Sequence, residues 1–140
     1  MNPKLTFGQS ITAGLLAGLA AAVLNAVLFF VFHATGVLTD TVYVQPPNQP
    51  LTIMPVIMAS LVPALVGSIV FFLLEKFTNN GFRIFSILAV ILVVLSLASP
   101  FTVPQNGTVG YGVVLCVMHL VVAAALLYFL RKRVQQHPAL

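Results

Sequence analysis

Long apolar stretches and short polar segments alternate along the chain. The apolar stretches extend over Ile11–His33, Leu51–Leu74, Phe82–Phe101 and Thr108–Leu130. Each is long enough to cross about 30 Å of hydrocarbon at a helical rise of about 1.5 Å per residue. Because backbone groups in a bilayer must form hydrogen bonds within their own segment, each stretch is expected to be a helix. The pattern therefore predicts an all-α fold, a bundle of four transmembrane helices that forms a single membrane domain over residues 1–140.

The polar segments indicate how these helices are connected. The segment Thr78–Gly81 is typical of a break between two helices. The loop of residues 34–50 ends in Gln45–Pro50, whose three prolines favour extended structure over helix. The first apolar stretch follows Lys4, as in a secretory signal peptide, but it is too long for such a signal and no small-residue cleavage motif closes it. We interpret it as a retained first helix.

Composition supports a membrane protein over a soluble domain. Hydrophobic residues make up 60% of the chain and charged residues only 6%, whereas soluble domains carry about 25% charged residues. The net charge of +4 does not indicate a nucleic-acid partner, because the basic residues lie at predicted helix ends. We expect the lipid bilayer to be the main partner of the chain.

Positive charge marks one side of the predicted bundle. The lysines and arginines of the chain are Lys4, Lys76, Arg83, Arg131, Lys132 and Arg133. All of them flank helix ends on this side, and the two loops on the other side contain none. Cytoplasmic loops of membrane proteins are enriched in these residues. The N-terminus, the C-terminus and the turn of residues 75–83 are therefore predicted to be cytoplasmic.

Small residues predict which helix faces meet. Glycine lets two helix backbones approach closely in a membrane, where hydrophobicity gives no direction to packing. The expected packing positions are Gly14, Gly18, Gly67 and Gly112. We expect these faces to pack within one bundle, and an interface between two copies of the chain is the alternative.

Polar residues within the apolar stretches form a predicted cluster. They are Asn25, Ser60, Ser96, Ser99 and His119. A rise of about 1.5 Å per residue places them within about 10 Å of one another along the membrane normal. They are expected to line one polar pocket or a crevice open to the outside. His119 is a candidate ligand or proton site, or else a structural lock in which its neutral ring bonds to Asn25 or Ser96 on another helix.

The chain offers little for catalysis or metal binding. No acidic residue lies within the apolar stretches, so no buried carboxylate can act as a base or orient His119. Cys116 is the single cysteine, and His33 lies about half a membrane from His119. Met54, Met58, His33 and Cys116 suit Cu(I) chemically, but they lack the close spacing of a metal motif. We expect no enzyme activity, no catalytic residues, no metal and no cofactor.

Short motifs distributed along the chain carry a family resemblance. They are Asn25 after a run of small residues, the proline-rich loop before Leu51-Thr52, Gly81-Phe82-Arg83, Ser96–Pro100 and Met118-His119-Leu120. With these motifs the chain resembles an uncharacterised bacterial family of small four-helix integral membrane proteins. The resemblance implies a four-helix fold in the bacterial inner membrane and supplies no activity.

Three functions from different classes are compared for this chain, and the first two fit its residues. The first is a non-catalytic multi-pass membrane protein, an accessory subunit or a binding module for lipid or another apolar ligand. The second is a small oligomeric transporter or channel that uses the crevice around Asn25 and His119. A second copy of the chain or another membrane protein is the expected protein partner in either case. A membrane-embedded enzyme is the third and least supported reading.

Overall fold

The computed structural model describes residues 4–44 and 48–136 and contains four helices long and apolar enough to cross a membrane. Its helices are α1 Phe7–Ala34, α2 Ile53–Phe77, α3 Gly81–Ser96, the short α4 Ser99–Thr102 and α5 Val109–Gln135. The third membrane-length segment consists of α3 and α4 together. The predicted all-α bundle is thus confirmed. Part of the predicted extended loop, residues 45–47, lies outside the described residues.

Polar capping residues set where two of the long helices begin. Thr6 precedes α1, where its Oγ1 accepts a hydrogen bond from Gln9 N and its own N donates to Gln9 Oε1. Thr108 precedes α5, and its Oγ1 accepts from Tyr111 N at 3.1 Å. Such side chains satisfy backbone N–H groups that lack a partner in the first turn. The helix α1 therefore begins four residues before the apolar stretch that predicted it.

The third membrane-length segment is broken, whereas the sequence analysis predicted one helix through Phe101. Pro100 has no N–H, so it cannot donate to the carbonyl of Ser96 four residues earlier. Ser99 Oγ donates to Ser96 O instead, at 2.8 Å. Cys116 Sγ on α5 donates to Leu97 O at 3.6 Å. Side chains thus satisfy two carbonyls at the break between α3 and α4.

A small antiparallel sheet joins the two loops at one end of the bundle. It consists of β1 Tyr43–Val44, β2 Gln49–Pro50 and β3 Pro104–Gln105, in the order β2-β1-β3. Tyr43 pairs with Pro50 on one side and with Gln105 on the other. The extended loop was predicted, but its pairing with residues 104–105 was not. We call this end of the bundle the sheet end and the opposite end the turn end.

Contacts at the turn end bring distant parts of the chain together. Lys4 Nζ donates to Lys76 O and Thr78 O, each at 3.1 Å, and so satisfies carbonyls at the end of α2. Leu5 and Leu130 belong to one buried cluster, which places the start of α1 beside the last turns of α5. The basic residues therefore share one end of the bundle, and their cytoplasmic location stays a prediction.

The helix α1 packs along α2 and α5, whereas α3 packs more loosely. The buried residues of α1 are mostly small and follow one face from Ala13 to Asn25. In α3 only Gly81 and Phe85 are buried. A second buried cluster, which includes Phe29 and Tyr111, lies toward the sheet end. This unequal packing leaves space between α3 and its neighbours.

Candidate functional site

One buried amide joins three helices in the middle of the bundle. The Asn25 side chain on α1 is 2% exposed, and its Nδ2 donates to Ser60 Oγ on α2 at 3.0 Å and to Met118 O on α5 at 3.2 Å. The Ser60 hydroxyl donates in turn to Val56 O at 2.9 Å. Since a carbonyl only accepts hydrogen bonds, the contact with Met118 O fixes which amide atom is nitrogen. The remaining atom, Asn25 Oδ1, is buried and has no hydrogen-bond partner among the described residues.

Two of the predicted packing glycines lie where α1 meets α2. A Cβ placed on Gly14 would overlap Ser68 Oγ and would lie 2.9 Å from Ala64 O. A Cβ on Gly18 would lie 3.2 Å from Leu61 Cα. Backbones this close leave no room for a side chain, which is the reason small residues occupy helix contacts in membranes.

The other two packing glycines face α5 and α4. A Cβ on Gly67 of α2 would lie 2.5 Å from Leu126 Cδ2 of α5. A Cβ on Gly112 of α5 would overlap the ring of Phe101 in α4. Each of the four glycines therefore contacts another helix of the same chain.

A cavity of about 700 Å³ lies between α2, α3 and α5. Asn25 of α1 contributes to its wall, as do Val44, Leu51 and Pro104 from the loops at the sheet end. Aliphatic side chains, together with Phe85, form most of the remaining wall. Pockets for small ligands typically have volumes of about 300–1,000 Å³ and apolar walls with a few polar groups. This cavity fits that description.

Four residues of the predicted polar cluster line this cavity. They are Asn25, Ser96, Ser99 and His119. The fifth, Ser60, is fully buried behind Asn25 and bonds to it. The depths estimated from the sequence thus grouped polar side chains that lie close together in the structure.

The hydrogen bond of His119 differs from the one that the structural lock would need. His119 Nδ1 lies 2.7 Å from Leu115 O, one turn earlier on the same helix. Neither Asn25 nor Ser96 is its partner, and Asn25 instead makes the contacts between helices. A polar side chain in a helix can reach the carbonyl four positions earlier in a suitable rotamer. Nothing in the sequence indicated that the ring of His119 would bond to a carbonyl of its own helix.

The described residues bring together no group of three or more His, Cys, Asp or Glu side chains suited to a metal ion. His33 Nε2 and Asp40 Oδ1 lie 3.2 Å apart at the sheet end, outside the cavity wall, and both side chains are exposed. The expectation of no metal and no cofactor stays a prediction. What the cavity offers chemically is a large apolar volume with a polar region near its sheet end.

Comparison with known proteins identifies the family. Residues 6–136 match the model of a family described as a family of unknown function, DUF6069. No curated protein and no solved structure is significantly similar to the chain. The match confirms the resemblance to an uncharacterised family, and the bacterial origin stays a prediction.

Proposed function

We propose that this chain, which belongs to the DUF6069 family of unknown function, is a non-catalytic multi-pass membrane protein that binds an apolar ligand in the cavity between α2, α3 and α5. A lipid, or another molecule dissolved in the bilayer, is the class of ligand that this proposal names. An accessory role for a second membrane protein is compatible with the same site.

The cavity is the observation that carries the proposal. Its volume of about 700 Å³ is several times the roughly 150 Å³ of an engineered apolar cavity that stays dry and binds benzene. An apolar occupant that fits this volume gives dispersion contacts to the atoms of the wall. Ligand binding is therefore expected to stabilise the bundle.

The position of the cavity suits a ligand that arrives from the bilayer. Val66 and Leu92 are in its wall, and their exposed fractions are 54% and 56%. Val66 lies near the middle of α2 and Leu92 lies in the second half of α3, at depths that face hydrocarbon in a membrane. Since α3 buries few residues, a lipid chain can reach the cavity beside it.

The polarity of the wall favours binding over conduction. A transporter or channel needs polar groups along a path between the two faces of the membrane. The polar lining residues lie in the half toward the sheet end, whereas residues such as Val70 and Leu126 line the half toward the turn end. An apolar ligand with one polar end matches this arrangement.

Matched substitutions on α5 test the proposal. Ala123 is half-buried in the cavity wall, and the neighbouring Ala124 is exposed and outside it. Native mass spectrometry of protein purified in mild detergent should show an apolar molecule retained by the wild type and by Ala124→Phe. Ala123→Phe should lose it, because the ring occupies part of the cavity. A wild type that retains no such molecule, or equal retention by both variants, would contradict the proposal.

A further inference from the structure

We propose that the ligand of this cavity is a neutral lipid whose head group is a hydroxyl, which donates a hydrogen bond to acceptor atoms of the wall, chiefly His119 Nε2. The inference rests on the proposed function and specifies the chemistry of its ligand. It follows from which hydrogen-bonding atoms of the polar lining residues are already engaged.

The amide and hydroxyl donors of the wall are all used within the protein. Asn25 Nδ2 has two hydrogens, and it donates to Ser60 Oγ and to Met118 O. Ser96 Oγ donates to Val93 O, and Ser99 Oγ donates to Ser96 O, each at 2.8 Å. What Ser96 and Ser99 have left at the wall are oxygen lone pairs, whereas the unpartnered Asn25 Oδ1 is itself buried.

His119 likewise has an engaged donor and a free acceptor. The carbonyl of Leu115 only accepts hydrogen bonds, so the short contact of 2.7 Å places the ring hydrogen on Nδ1. In the neutral ring Nε2 is then an acceptor, and no described residue donates to it. His119 is half-buried in the cavity wall, which leaves this atom available to a ligand. The half-buried Ser96, Ser99 and His119 thus offer acceptors at the cavity wall, so a complementary head group must donate.

Charge restricts the head group further. The chain has only two acidic residues, Asp40 and Glu75, and neither lies in the cavity wall. An ammonium head group would therefore lack a counter-ion at a depth where unpaired charge is costly. A carboxylate would need donors or a cation, and the lysines and arginines of the chain lie at the turn end. A neutral hydroxyl needs neither a counter-ion nor a donor from the wall.

The layout of the wall orients such a ligand. His119 and Asn25 lie in the halves of α5 and α1 that are nearer the sheet end, and Ser96 ends α3 on that side. Phe85 and Leu126 line the cavity toward the turn end. The hydroxyl is therefore placed toward the sheet end and the hydrocarbon chain toward the turn end.

Two probes test the inference, one with a hydroxyl donor and one with a methyl group in place of the hydroxyl hydrogen. 1-Hexadecanol and its methyl ether share one hydrocarbon chain and one oxygen, but only the alcohol donates a hydrogen bond. Their apparent affinities for the delipidated full-length protein are obtained from the concentration dependence of its melting temperature in detergent. We expect the ratio of alcohol affinity to ether affinity to fall about three- to tenfold in His119→Leu, the effect of losing one hydrogen bond.

The comparison of ratios removes differences in how the two probes partition into micelles, since these are the same for every variant. Leu120→Ala, at an exposed neighbour outside the cavity wall, should keep the wild-type ratio. Ser96→Ala provides a second test should His119→Leu fail to fold, and it should lower the ratio in the same direction.

The outcomes separate the inference from the proposed function. Binding of both probes with a ratio that His119→Leu and Ser96→Ala leave unchanged would overturn the hydroxyl inference, and the apolar binding site would stand. Binding of neither probe to the wild type would overturn both. A ratio that falls in both variants and stays constant in Leu120→Ala would support the inference.

Discussion

Asn25 Nδ2 on α1 and Ser60 Oγ on α2 lie 3.0 Å apart at the centre of the bundle, and the same nitrogen lies 3.2 Å from Met118 O on α5. A single amide group therefore links three of the four membrane-length segments. Lipid-facing surfaces give no preference for one packing over another, whereas a buried amide loses hydrogen bonds when its partners move away. This group fixes the register of α1 against α2 and α5.

The strength of this link can be measured by a double-mutant cycle. Asn25→Ala and Ser60→Ala should each destabilise the protein, and the double variant should be less destabilised than the sum of the two. Interhelical hydrogen bonds in membranes give coupling energies of about 0.6 kcal/mol on average and up to about 1.7 kcal/mol. Unfolding by sodium dodecyl sulfate in mixed micelles provides the free energies. Strictly additive effects would show that the pair contributes no interaction energy.

The close contact between α1 and α2 predicts a large effect of one methyl group. In Gly14→Ala the added Cβ would overlap Ser68 Oγ and approach the backbone at Ala64, so the two helices must separate. Overpacking of this kind typically costs about 1–3 kcal/mol. Gly8→Ala is the matched control on the same helix, because a Cβ there meets nothing within 4 Å.

Thermal unfolding in detergent distinguishes the two glycine variants. Gly8→Ala should be neutral or stabilising by up to about 1 kcal/mol, since alanine has the higher helix propensity. Equal melting temperatures for Gly14→Ala and Gly8→Ala would mean that α1 and α2 do not pack through this face.

Apolar length predicted the four membrane segments, but it could not predict their ends. The helix α5 continues to Gln135, beyond the predicted end at Leu130, because a helix does not stop where its apolar side chains stop. Arg131, Lys132 and Arg133 are good helix formers and carry the helix past the hydrocarbon. Pro100 indicated a break after α3, but the continuous apolar stretch around it predicted an unbroken helix.

The small sheet could not be predicted from the sequence, for a different reason. Each of its strands has two residues, which is too short for the alternation of polar and apolar residues that identifies a strand. Pairing between Val44 and Pro104 also depends on how the helices bring two loops together, about sixty positions apart in sequence. Local sequence contains no information on such a contact.

The candidate site was predictable in its polar part only. Polar residues such as Asn25 and His119 stand out within apolar stretches, and four of the five predicted positions line one cavity. The apolar wall could not be predicted, because Val66 in the cavity and Val62 outside it have the same chemistry. Whether an apolar helix face meets lipid, another helix or a cavity is decided by packing.

Orientation in the membrane is open to a direct test. In a background of Cys116→Ser, Thr41→Cys places a thiol in the loop before β1, and Asn79→Cys places one in the turn between α2 and α3. Both positions are exposed. An impermeant maleimide added to whole cells should label Thr41→Cys and spare Asn79→Cys, because the basic residues predict a cytoplasmic turn. Labelling of Asn79→Cys alone would reverse the predicted orientation, and permeabilised cells serve as the control for reactivity.

His119 separates a structural role from a binding role. Leu115 O is an intrahelical carbonyl that accepts the backbone N–H of residue 119 as well as the contact from the ring. In His119→Leu this carbonyl therefore keeps a partner, and the new side chain adds apolar atoms to an apolar wall. The unfolding free energy of the delipidated protein should stay within about 0.5 kcal/mol of the wild type, and His119→Asn should behave alike. Loss of more than about 1 kcal/mol in His119→Leu, with stability retained in His119→Asn, would instead show that a hydrogen bond from this position locks two helices together.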